Sequence, residues 1–156
     1  MKFLNYKNYL AVIKNSVDSK MFKHIYVLDD DQEKDILEDG KLSCAYYVSC
    51  ILKMFNLIDQ ETSPHAAVNG LIKNIVNNGW EETKDLKIGN IILWDEKKYP
   101  SGKFHSHVGF YLGDDKAISN SGEDQIPKIH HYTYGQKEDG QPERKIIKIF
   151  THEIIE

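Results

Sequence analysis

Apolar positions in the first half of the chain recur at intervals of three and four, the spacing of one helix face. Leu4, Leu10, Ile13 and Val17 predict a first amphipathic helix. Tyr47, Val48, Ile51, Leu52 and Phe55 predict a stronger one over 44–57, with Ser43 as its N-cap. A third helix carries its own punctuation: Ser63 as cap, Pro64 at the first helical position, then Val68, Leu71, Ile72, Ile75 and Val76, with Gly79 as the stop. After Gly79 the pattern shortens to β-type runs at 91–94, 108–112, 116–120, 129–134 and 145–150, separated by Gly, Asp and Pro clusters. Helices first and strands second predict an α+β fold, with N-terminal helices packed on a C-terminal antiparallel β-sheet or partly closed barrel. The stretch GQKEDGQPE at Gly135–Glu143 reads as a surface hairpin connection. No repeat or linker divides the chain, so residues 1–156 read as one domain.

The polar run Asp29-Asp30-Asp31-Gln32-Glu33-Lys34-Asp35 has the composition of a calcium loop but not its spacing. It lacks a glycine at the sixth position and a closing glutamate at the twelfth. A solvated loop or helix start is expected there.

Length and charge narrow the function classes. A chain of 156 residues buries a real core, and 40% hydrophobic against 28% charged residues is the balance of a globular protein. A formal net charge of -4 leaves no polybasic footprint, so nucleic acid is not expected as a partner. No apolar run reaches membrane-spanning length, so no membrane insertion is expected. The first residues, MKFLNYKNYLAVIKNS, break their apolar positions with Asn and Lys and do not form a signal peptide. A cytoplasmic location or a non-classical export route is therefore expected, and a monomer.

The chemistry starts at the two cysteines of LSCAYYVSC, Cys44 and Cys50. On one helix their Cα atoms stand roughly 9 Å apart, too far for a disulfide. Cys50 lies mid-helix and reads as core. Cys44 falls in the first turn, where unpaired N–H groups and the helix dipole favour a thiolate and can stabilise an oxyanion. The same position also suits a small buried residue, since free cysteine is among the most buried residue types. A nucleophile needs a base. The candidate is His107 in HSHVGFYLGDD, where Val108, Phe110 and Leu112 form one face of a strand and His107, Gly109 and Tyr111 the other. Gly109 removes bulk beside His107 and admits a close approach by a helix end or a substrate. His105 and His107 share a face and, with His130 or His131, could instead hold a metal, although no cysteine or carboxylate completes such a site.

SCAYYVSCILKMFNLI, LKIGNIILWD and HSHVGFYLGDDKAISNS, in that order, resemble the papain-like NlpC and CHAP superfamily of cell-wall cysteine peptidases and amidases. The match runs from Ser43 to about Ser121. The resemblance implies a papain-like fold, no cofactor, and hydrolysis of a peptide or amide bond, most readily in peptidoglycan, with Cys44 as nucleophile and His107 as base. It also implies a third polar residue orienting His107. Ungapped matching to the family pattern lands on Ser119. Chemistry favours Asn120, whose amide oxygen accepts from an imidazole N–H in a fixed plane. Strand register decides between them: a two-residue turn at Asp114-Asp115 pairs Gly109 with Asn120, and a three-residue turn brings Ser119 to the His107 face. Tyr26 is a candidate hydrogen-bond donor, as a tyrosine is in NlpC enzymes, although its loose spacing favours a buried structural tyrosine. Where those enzymes carry Asp before the cysteine and Ser-Gly after it, this chain has Ser43, Ala45 and Tyr46, which predicts bulk beside the nucleophile. The competing expectations are a catalytically silent domain of the same fold that binds a peptide or glycan, and the histidine metal site.

Overall fold

The computed structural model describes residues 1–155. Three helices come from the expected regions: α1 (Asn5–Asn15), α2 (Cys44–Met54) and α3 (Val68–Asn77). Helix α2 is the centre of the core. Its Ala45, Tyr47, Val48, Ile51 and Leu52 have no exposed surface, as expected of a helix apolar nearly all round. It stops at Met54, short of the expected Leu57, because Asn56 takes a left-handed φ of 55°. The Leu57 N–H then reaches the Leu52 carbonyl (3.0 Å) and the Asn56 N–H the Lys53 carbonyl (3.2 Å), a Schellman closure. Gly79 closes α3 in the same manner, with φ 85° and Trp80 N–H on the Ile75 carbonyl.

The start of α3 differs from expectation. It begins at Val68, after Ala67, and Ser63-Pro64 does not cap it. The preceding segment is pinned to α2 instead, by His65 N–H on Ser49 Oγ at 2.9 Å, and to α3 by His65 Nε2 against Asn74 Nδ2 at 2.8 Å.

The acidic stretch is neither a loop nor a helix start. It folds into a hairpin of β1 (Tyr26–Asp29) and β2 (Gln32–Asp35), turned by Asp30 and Asp31, both with positive φ. This is the geometry of a two-residue hairpin turn, in which Asp tolerates the left-handed region better than most residues.

The main sheet has six antiparallel strands: β3 (Glu81–Thr83), β4 (Ile91–Lys98), β5 (Phe104–Gly113), β6 (Lys116–Asn120), β7 (Pro127–His131) and β8 (Ile146–Thr151), in spatial order β3-β8-β4-β5-β6-β7. The expected run at 129–134 is displaced to β7, because Tyr134 turns the chain with a φ of 61°.

The sheet is open, which corrects the expectation of a partly closed barrel. Its edges, β3 and β7, lie at opposite ends and do not pair. Curling is not needed to bury its faces. One face packs Ile91, Val108, Phe110, Ile118 and Phe150 against the helices. On the other, Ile92, Trp94 and Ala117 are covered by Leu86, Tyr132 and Tyr134 from flanking segments. Among the described residues no helix is long and apolar enough to cross a membrane.

Candidate active site

Cys44 is the first residue of α2, and its helix lies on the Val108 face of the sheet. His107 lies on the other face, where its ring packs 5.6 Å from that of Trp94. Beyond Phe110↔Ile118 the strands β5 and β6 no longer pair. Tyr111 exchanges main-chain bonds with the β4 side, at Gly89 and Asn90 (2.8 and 2.9 Å). By strand alternation the N–H groups of Val108 and Phe110 therefore face β6. Pairing of β5 with β6 ends at Phe110↔Ile118, so the Val108 N–H is left to the Cys44 sulfur, with which it interacts. Cys44 and His107 both line a cavity of about 260 Å³, together with Lys41, Leu42, Tyr99 and His105. No hydrogen bond joins the two side chains.

Ser43 precedes the helix as expected, but its hydroxyl makes no capping bond and is buried without a partner. The N–H groups of Cys44 and Ala45 consequently remain directed at the sulfur, and with Val108 N–H and the nearby Arg144 charge they favour the thiolate. Burial outweighs them, and the Cys44 thiol is pushed up rather than down. His107 is only 4% exposed, and burial, reinforced by Arg144, His130 and Lys97, holds it well below the usual histidine range. The resting pair is thus a neutral thiol and a neutral imidazole, not the pre-formed thiolate that the helix dipole alone suggests.

The register reverses the order of the two candidate third residues. The β5–β6 turn is the two-residue one, with Asp114 and Asp115 at φ 50° and 57° and Gly113 opposite Lys116. Continued regularly it would pair Gly109 with Asn120. It does not, because β5 bulges at Leu112, and the next pairs are Tyr111↔Ala117 and Phe110↔Ile118. One slipped residue moves every side chain to the opposite face. Ser119 Oγ therefore stands 2.8 Å from His107 Nε2. Asn120 turns away and donates to the Gly40 carbonyl at 2.7 Å.

Gly109 is required here by its contact with strand β6. A Cβ at this position would collide with the Ile118 carbonyl and lie 2.7 Å from Ser119 Cβ. The close neighbour is thus β6, neither a helix end nor a substrate.

Comparison with protein-family models, curated proteins and solved structures gives no match. The NlpC and CHAP resemblance therefore stands on the motifs themselves.

Other expected residues fall away from the cavity. Tyr26 is 61% exposed on the β1–β2 hairpin, stacked on His24. The tyrosine near the thiol is Tyr99, in the β4–β5 connection, whose hydroxyl interacts with Arg144 and is raised chiefly by burial. Nothing in the YPSGK turn marks it in the sequence. Tyr46 does not wall the cavity, and its hydroxyl instead meets Cys50. Cys50 packs against the core and is pushed up to about 11 by burial. Among the described residues, no three His, Cys, Asp or Glu side chains converge as a metal requires, so His105, His107, His130 and His131 do not build the alternative metal site.

Arg144 and His130 are additions to the expected site. Arg144, 6% exposed, donates through Nε and Nη2 to the Asp95 carbonyl (3.1 and 2.9 Å) and through Nη2 to the His105 carbonyl (3.1 Å). It fixes a positive charge behind the His107 face.

Proposed function

We propose that this protein is a cysteine hydrolase of peptide or amide bonds, with Cys44 as nucleophile and His107 as general base. The observation that carries the reading is the cavity lined by both residues, with His107 Nε2 held by Ser119. His107 Nδ1 makes no hydrogen bond among the described residues and is left for the proton.

Because thiol and imidazole start neutral, proton transfer accompanies attack. The Cys44 S–H proton passes to His107 as sulfur bonds to the carbonyl carbon and the C=O electrons move onto oxygen. The N–H groups of Cys44, Ala45 and Val108 are the available oxyanion donors. The oxyanion collapses, the C–N bond breaks, and the imidazolium returns its proton to the departing amine. Water, deprotonated by His107, then attacks the thioester and releases a carboxylic acid and the free thiol. The motif resemblance directs the first substrate test to the stem-peptide bonds of peptidoglycan.

One observation favours a second reading, a catalytically silent domain that binds a peptide or glycan: burial raises the Cys44 thiol. Digestion of purified peptidoglycan, followed by mass spectrometry of the soluble products, separates the two. The hydrolase reading expects new amine and carboxylate ends that vanish with Cys44→Ser. Retention of the protein on intact sacculi, with no cleavage and no acyl adduct on Cys44, supports the silent domain instead.

A further inference from the structure

Ser119 does more than touch His107. Its hydroxyl oxygen lies 2.8 Å from His107 Nε2, 2.8 Å from His130 Nε2 and 3.0 Å from the Tyr134 hydroxyl. A serine hydroxyl has one proton to give and two lone pairs to fill, so these three contacts exhaust it. The direction of each bond is decided at the far end of the chain of contacts. His130 Nδ1 lies 2.8 Å from the His131 carbonyl oxygen. A carbonyl only accepts, so His130 Nδ1 carries its proton. Burial holds His130 down to about 4, so at neutral pH its Nε2 is bare and accepts from Ser119. With its only proton committed to His130, Ser119 must accept from His107. His107 is then an Nε2–H donor, and its Nδ1 keeps a lone pair.

We propose that His130 is a positioning residue: acting through Ser119, it locks His107 in the tautomer whose Nδ1 is unprotonated and able to serve as the base. The backbone carbonyl of His131 is the anchor that sets the polarity. Tyr134 holds the relay in place, stacked on the His130 ring at 4.0 Å and 17° and donating into the second lone pair of Ser119. Without an acceptor at 130, the Ser119 proton is free to turn towards His107 Nε2, and the imidazole proton then belongs on Nδ1, where it blocks the base. The serine alone, able to donate or accept, cannot enforce either tautomer. The catalytic consequence rests on the hydrolase reading above; the tautomer does not.

The test is ring-nitrogen NMR of the full chain labelled with ¹⁵N-histidine at neutral pH, together with the rate of Cys44 alkylation by iodoacetamide. The parent protein is expected to hold the proton on Nε2 of His107 and on Nδ1 of His130. His130→Leu is expected to move His107 towards the Nδ1–H form and to slow alkylation at least several-fold. His130→Gln, which supplies an acceptor oxygen, is expected to restore both. An Nδ1–H His107 in the parent overturns the proposal, as does a tautomer indifferent to His130→Leu. Should His130→Leu not fold, the parent tautomer and the His130→Gln spectrum decide. A locked Nε2–H tautomer beside a Cys44 that does not react refutes the hydrolase reading while leaving the lock standing.

Discussion

Replacing Gly109 with alanine probes the contact on which the site geometry depends. The added Cβ meets the Ile118 carbonyl and Ser119 Cβ, the latter at 2.7 Å. Both obstacles belong to the backbone or its first side-chain atom, so neither can swing aside as a long side chain would. Strand β6 must shift by several tenths of an ångström. Overpacking of this kind costs about 1–3 kcal/mol, and the rigid neighbours place Gly109→Ala in the upper half of that range. For a chain of 156 residues, a loss of ~2–3 kcal/mol corresponds to a melting temperature lowered by roughly 5–10 °C. Urea titration monitored through Trp94 and Trp80 fluorescence measures the stability change. The shift of β6 also pulls Ser119 Oγ from its 2.8 Å contact with His107, so ¹⁵N spectra of the His107 ring should change in parallel. A Gly109→Ala protein with parental stability and an unaltered His107 spectrum would refute the close packing of β5 against β6 at this point.

Other outcomes follow from the buried histidines and the hairpin. His130 is held to about 4 against an ordinary 6.5, so unfolding takes up a proton in that interval, and stability present above pH 6.5 is lost as pH falls towards 4, by up to ~3 kcal/mol for this group. Calorimetry from pH 7 to 4 should show the melting temperature falling, with a shallower slope in His130→Gln; equal slopes would contradict a neutral buried His130. Although burial opposes it, the Asp35 carboxyl is pulled down to about 2 by His24 and by the N–H groups of Asp39, Leu37 and Ile25. Its contribution is present above the ordinary 3.8 and fades as pH falls through about 2. Asp35→Asn removes the Oδ2 acceptor for His24 and Asp39; at about 0.5–1.5 kcal/mol for each of the two bonds, hydrogen exchange in the β1–β2 hairpin should speed up about tenfold or more, and unchanged exchange would show that the hairpin does not depend on this carboxylate.

Much of the helical core is legible in the spacing of Tyr47, Val48, Ile51 and Leu52 and in the Gly79 stop, because burial on one face imposes that spacing. The hairpin at 26–35 is not, since its strands are mostly exposed and polar and carry no alternation. Two helix ends are not legible, because Asn56 takes the left-handed region without being glycine and a Ser49 hydrogen bond holds His65 outside α3. Of the site, Cys44 and His107 stand out by motif, and both line the cavity. The choice between Ser119 and Asn120 turns on a bulge at Leu112, whose one mark in GFYLGDD is the neighbouring Gly113 at φ 86°. Open-sheet topology and the approach of His130, Tyr134 and Arg144 to His107 depend on the same register and on pairings far apart in the chain.

The most direct test of the Cys44–His107 pair is the rate of Cys44 alkylation at pH 7, resolved from Cys50 by peptide mass spectrometry, in the parent protein and in His107→Gln. A base that takes the thiol proton during attack contributes about 10²–10⁴-fold to rate, so the parent is expected to react at Cys44 at least tenfold faster than His107→Gln, with Cys50 unaffected. Equal rates at Cys44 in the two proteins would contradict the pairing.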